Sequence, residues 1–202
     1  FMCNEAYFTA MNGIPTGVVS LEMDKEELLT IMVCEQLEIS TFKLKRGQLD
    51  SGYVRAYENR MRKIDSLPLW VTDRSMSIQQ LTSWIKTMQV HKDIRIVFVD
   101  FIQRIKRSGK EKRFEEVAMW SNMLADTAKE TGVSIVSLAQ LSRASEPPPG
   151  LKPEDAWKYT PHLHHLKESG GLEEDAYLAV LIYPHPINSA IDGNSLHLRY
   201  VA

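Results

Sequence analysis

Cysteine is scarce in this chain: two residues in 202, Cys3 and Cys34. Both sit in segments with helical spacing. They read as buried free thiols of a reducing compartment, which excludes a disulfide framework and a cysteine metal site. No apolar run is long enough to cross a bilayer, and no signal-peptide pattern is visible. A cytoplasmic protein with no membrane partner is expected. Charge of one sign is also lacking. Lys and Arg number 24 against 26 Asp and Glu, a formal net charge of −2. Bulk charge therefore argues neither for nor against nucleic acid; only a local patch could. No internal repeat and no low-complexity segment occur. The chain opens on "FMCNEAYFTAMNG" with no initiator Met. That stretch already carries an amphipathic helical pattern, so the expectation is a fragment.

What is present is ordinary globular material, 44% apolar and 25% charged. The length suits one domain, 1–202, with a substantial core. "TGVVSLE" (16–22), "IRIVFVD" (94–100), "VSIVSLAQ" (133–140) and "AYLAVLIY" (176–183) are short, rich in β-branched residues and apolar on both faces. They predict buried strands, because a half-exposed antiparallel strand would alternate. "LWVTD" (69–73) and "SLHLRYVA" (195–202) are further strand candidates. Helical segments fall between. The segment 24–38 has an acid at its N-cap position and acids in its first turn. Those at 52–65 and 77–91 carry helical spacing. The helix over 113–132 puts Phe114, Val117, Trp120, Leu124 and Ala128 on one face and stops at Gly132. Buried strands alternating with helices predict an α/β fold with a mostly parallel central sheet flanked by helices. "EPPPGLKPED" (146–155) reads as a surface loop.

Ligands of such sheets bind at the carboxyl ends of the strands. Here those ends carry Glu22, Asp100 and Gln140, with Ser142 and Arg143 following. "IVFVD" has the Walker-B form, in which the carboxylate holds the water shell of a nucleotide-bound Mg²⁺. Alone it is no more specific than a turn or helix-cap aspartate, and Glu22 alone could be a structural acid. Together, a carboxylate that deprotonates water beside a Mg²⁺ carboxylate and an amide that senses a phosphate form a coherent set.

Five blocks in register, "GVVSLEMDKEELL", "KRGQLD", "IRIVFVDFIQRI", "VSIVSLAQLSR" and "HLKESGGLEEDAYLAVLIY", resemble the C-terminal motor domain of DnaB-type replicative helicases. The resemblance covers about 1–183. It implies a RecA-like P-loop NTPase fold and a hexameric, ATP-driven enzyme that uses Mg²⁺, translocates on single-stranded DNA and meets primase and a helicase loader. By resemblance the catalytic glutamate falls on Glu22, the Mg²⁺ role on Asp100 and the γ-phosphate contact on Gln140. Arg143 becomes a candidate nucleotide contact. "LKESGG" resembles the loop that grips the DNA backbone, which puts contacts on Lys167, Glu168 and Gly170. Lys167 can pair with a phosphate, and glycines let backbone N–H groups approach one. The bland reading of the same residues is a tight connection before a strand.

Two departures from the family qualify these expectations. The Walker A pattern, G-x-x-x-x-G-K-[ST], is absent from this chain and in the family stands just before its first helix. The 202 residues by themselves are therefore expected to hydrolyse little ATP. At the other end, Ile187 and Ser189 stand where the family's basic pair would be, so no arginine finger is carried over. The "HLHH" cluster (162–165) lacks the partners of a metal site, and histidines of a loop near DNA fit it better. The basic run "RIKRSGKEKR" (104–113) leaves a solvated face, a DNA-proximal segment and a subunit contact all open. Two other function classes stay in view: an inactive RecA-fold module for DNA binding or ring assembly, and another RecA-family ATPase of the recombinase or KaiC type.

Overall fold

The computed structural model describes residues 1–109, 111–142, 160–166, 170–184 and 196–201. It contains two compact units, Phe1–Lys106 with Asp126–Leu138, and Arg107–Ala125 with Ala139–Ala202.

The first unit is built on four parallel strands, β1 (Thr16–Ser20), β2 (Leu69–Thr72), β3 (Ile96–Asp100) and β4 (Ser134–Ser137), in the order β2-β1-β3-β4. The register explains why each strand is apolar on both faces. Val18 stands beside Val71 on one side and Phe98 on the other, and Phe98 stands beside Val136. That row packs with Met2, Ala6 and Tyr7 of α1 (Met2–Met11), Leu28, Met32 and Val33 of α2 (Lys25–Gln36) and Ile64 of α4 (Ser51–Ile64). The alternate row faces α5 (Ile78–Lys92). A Cβ added to Gly17 would lie 3.1 Å from the Trp84 ring and 3.1 Å from Val97, so glycine here lets the indole lie directly on the strand. Helices cover both faces, as parallel strands require.

Local signals account for the helix ends. Asp50 accepts hydrogen bonds from Gly52 N at 2.8 Å and Tyr53 N at 3.1 Å, starting α4. Ser77 and Gln80 form a reciprocal capping box on α5. Asp24 stands at the N-cap of α2, but its side chain does not cap. The first helical amide, Lys25 N, donates instead to Asp73 Oδ2 at the end of β2, 3.0 Å away. A short helix over Thr41–Lys45 (α3), capped by Ser40, has no counterpart in the sequence expectations. The helix expected over 113–132 is α6 (Arg113–Thr131), followed by Gly132 at φ +70. Its buried face is Glu116, Val117, Trp120, Ser121, Leu124 and Thr127, whereas Phe114 is 54% exposed.

In the second unit, α7 (Gly170–Asp175) precedes β5 (Ala179–Pro184), which pairs antiparallel with β6 (Leu196–Val201). This corrects the expectation of a parallel, deeply buried strand over 176–183. Tyr177 and Leu178 are 87% and 57% exposed, while Leu181 is buried. An apolar run on both faces signals burial but carries no information about the partner strand or its direction. Among the described residues β5 is paired with β6 alone and belongs to a separate two-stranded sheet.

Candidate functional site

The chain leaves β1 toward β2 on one side, while β3 leads to β4 on the other. The carboxyl edge between β1 and β3 is therefore the point where strand order reverses, the place where open α/β sheets form a ligand crevice. Ser20 pairs in register with Asp100, and Leu21 N donates to Asp100 O at 2.7 Å. The strand expected over 16–22 stops at Ser20, and a bend takes over. The buried Ser20 hydroxyl donates to Met23 O at 2.7 Å and accepts from Met23 N at 3.1 Å. This clasp projects Glu22 from the edge beside Asp100.

Asp100 is held on a buried strand end, and the peptide bond that follows it is cis. Burial, then the negative charge of Glu22, pushes its carboxyl above the ordinary aspartate range. No donor among the described residues hydrogen-bonds the Asp100 carboxylate. A half-buried carboxylate without a donor, raised by a second carboxylate, is a group whose ionised form needs a cation. The donor set fits Mg²⁺, which takes one or two carboxylates and completes its shell with water and phosphate oxygens.

Arg104 completes this edge. It lies in a 3-10 turn, Ile102–Arg104, directly after β3. Its Nη2 is 2.9 Å from Glu22 Oε1, and its guanidinium carbon is 5.7 Å from the centre of the buried Phe101 ring. The basic run was visible in the sequence, but nothing in it singled out Arg104 as the partner of Glu22.

Gln140 lies beyond the end of β4, is exposed and belongs to the second unit. β4 leaves the sheet at the same edge as β3, with Val99 beside Ser137. Glu22 and Asp100 are thus brought together within the first unit. Arg143, Lys167 and Glu168 lie outside the described residues, as does the Pro-rich segment 146–155. Gly170 opens α7 and is not in an open loop. A Cβ on its neighbour Gly171 would lie 2.8 Å from Ala118 Cα, so this glycine lets α7 approach the backbone of α6. The rings of His162 and His164 stack with centroids 5.4 Å apart, and His162 N donates to His165 Nδ1 at 3.1 Å. Burial, then His164 and His162, lowers the pKa of His165.

The stretch Arg107–Gly109 of the basic run is organised by a residue that sequence reasoning missed. Glu116 is completely buried. Its carboxylate accepts from Arg107 Nε, from Ser108 N and Ser108 Oγ at 2.8 Å each, and from Gly109 N at 3.2 Å. The Arg107 bond, followed by the Ser108 and Gly109 donors, overcomes burial and holds the carboxyl at about 2. An acid beside Val117 on the buried side of a helix is the signal that could have found it. Glu116→Gln is expected to lower the melting temperature at neutral pH, because backbone N–H groups lose a charged acceptor. The folded-state pKa is depressed, so this stabilisation is complete above the ordinary glutamate pKa and disappears as pH falls toward about 2. Melting curves of both proteins from pH 7 to pH 3 should therefore converge on the acid side. A gap that stays constant would show that the ionised carboxylate contributes nothing.

Comparison with known proteins agrees with this fold. The family model described as DnaB-like helicase C terminal domain matches residues 1–195. The replicative DNA helicase DnaB of Mycobacterium intracellulare is 30% identical over 168 residues, 82% of this chain and 28% of that protein. DnaB of Rickettsia prowazekii (strain Madrid E) is 30% identical over 169 residues, 83% of this chain and 33% of that protein. The chain thus spans 28% and 33% of the length of these two curated relatives. A solved DnaB-like replicative helicase, studied for its interactions with primase, superposes with a TM-score of 0.79 at 25% identity, covering 96% of this chain and 45% of that one. A second solved structure, described as an ATPase domain, gives the same TM-score of 0.79 at 25% identity, over 96% of this chain and 66% of that one. Parallel sheet, paired carboxylates at its switch point and a match along almost the whole length lead to one conclusion: this chain belongs to the family of DnaB-like helicase C-terminal domains.

Proposed function

We propose that this domain is the ATP-hydrolysing motor of a replicative DNA helicase, which acts as a hexameric ring in the cytoplasm, translocates on single-stranded DNA and unwinds the duplex. The observation that carries the reading is the pair Glu22 and Asp100 at the switch point between β1 and β3. Asp100 is the residue that would hold Mg²⁺, and the ion would supply charge neutralisation for the phosphates of bound ATP. Glu22 orients the attacking water and accepts its proton. Gln140 and Arg143 are assigned the terminal phosphate and the nucleotide, and Lys167, Glu168 and Gly170 the DNA backbone. Because a solved relative was studied with primase, primase is the first partner to try; a helicase loader follows from the family resemblance alone.

The test is Asp100→Asn in the full-length protein. Nucleotide binding should lose its dependence on Mg²⁺, and strand displacement should stop. The nucleotide-free protein should melt at a higher temperature than the wild type. The Asp100 pKa is raised, so above that pKa its ionised form costs stability, and the amide relieves this cost. Mg²⁺-dependent binding that survives the substitution would remove Asp100 from the metal site. A wild-type protein that binds DNA but never hydrolyses ATP would support the inactive RecA-fold module instead.

A further inference from the structure

The ion pair between Arg104 and Glu22 has a consequence for the water-activating role of Glu22, on which the following rests. A general base must be free to accept a proton from water. Here one of its oxygens is occupied by a guanidinium 2.9 Å away. The side chains of Arg104 and Glu22 are 55% and 41% exposed, so the pair is weak and readily opened. Arg104 is nonetheless not loose. It follows β3 within a 3-10 turn and rests near the Phe101 ring, 5.7 Å from its centre. Its nearest anion lies on the same sheet edge as Asp100, where a phosphate would bring several negative charges. A planar guanidinium that donates to one carboxylate oxygen has further donors for an incoming phosphate.

We propose that Arg104 is a positioning residue that parks Glu22 in the nucleotide-free domain and transfers to the terminal phosphate of a bound nucleoside triphosphate. The transfer exchanges one anion for another of higher charge. It leaves the Glu22 carboxylate free to engage water only when a triphosphate is present. A diphosphate lacks the third phosphate that draws Arg104 away, so the pair with Glu22 persists.

The experiment uses the full-length protein and measures binding of a non-hydrolysable ATP analogue and of ADP, both with Mg²⁺, by calorimetry. A hydrogen bond to a charged group is worth roughly ten- to a hundredfold in affinity. Opening the Glu22 pair offsets up to about fivefold of that. Arg104→Gln should therefore weaken analogue binding about tenfold and leave ADP binding almost unchanged. Arg104→Lys, which keeps the charge but not the fork, should recover part of the loss. Glu22→Gln frees Arg104 in advance and should tighten analogue binding up to about fivefold more in the wild-type background than in Arg104→Gln, because only the former has a pair to open.

An analogue-to-ADP ratio unchanged in Arg104→Gln overturns the proposal. So does an effect of Glu22→Gln that is equal in both backgrounds. A loss in Arg104→Gln confined to DNA affinity would assign the guanidinium to a DNA phosphate and equally overturn it. Every readout is binding. Hydrolysis that survives Glu22→Gln would thus remove Glu22 as the base without deciding the fate of Arg104.

Discussion

Glu22→Gln in the full-length protein is expected to leave nucleotide binding in place and to lower turnover by roughly 10²–10⁴-fold, the usual worth of a positioned general base. The substitution keeps the shape of the side chain and the bend that carries it. That bend is closed by the Ser20 hydroxyl on Met23, not by the carboxylate. What it removes is the negative charge that accepts a proton and that sits beside Asp100. Because Glu22 contributes to the raised pKa of Asp100, the amide should also ease ionisation of Asp100. Mg²⁺-dependent binding should survive, and hydrolysis should not. Single-turnover hydrolysis separates the two, since it is insensitive to product release. A rate within a few-fold of the wild type would mean that another residue activates water and that Glu22 is a structural acid.

Strand ends were the legible part of this site, for a physical reason. A buried parallel strand must be apolar along its length, so the first charged residue at its end is conspicuous, as Asp100 is after "IVFV". The register then places that end beside Ser20, and the following bend sets Glu22 next to it. Partnerships between charged residues were not legible in the same way. The run 104–113 reads as one basic stretch, yet Arg104 belongs to Glu22 in one unit and Arg107 to Glu116 in the other. Nothing in spacing distinguishes an arginine that returns to the sheet edge from one that closes a loop on the next helix. The strand β5 shows the same limit. Its composition announced burial, but pairing direction is decided by the neighbours that the chain supplies later, here β6. Phe114 fails for a simpler reason. It stands in the first turn of α6, and the buried stripe of that helix begins just after it, at Glu116 and Val117.

The glycine pair at the start of α7 divides the DNA reading into two separable results. Gly171 is structural: its Cα faces the backbone of α6, and an added Cβ would stand 2.8 Å from Ala118 Cα. A helix backbone cannot yield as a flexible side chain can, so Gly171→Ala should destabilise the protein by about 1–3 kcal/mol, the range for overpacking. Lys167 precedes this anchored helix in the chain, and its proposed role is with DNA alone. Lys167→Ala should leave the melting temperature unchanged and weaken single-stranded DNA binding for all sequences alike, because phosphate pairing carries no base information. The salt dependence gives the sharper reading. Each phosphate that the lysine no longer neutralises should flatten the slope of log affinity against log salt by about 0.7 on single strands. Over a fourfold rise in salt, that is about 2.5-fold per phosphate. In the proposed ring each subunit would present one such lysine, so the effects would multiply in the assembly and be far larger than in a monomer. Affinities measured at several salt concentrations, beside thermal melts of both variants, decide the matter. An unchanged slope in Lys167→Ala, with Gly171→Ala alone showing an effect through stability, would reduce the whole segment to a connection between helix and strand.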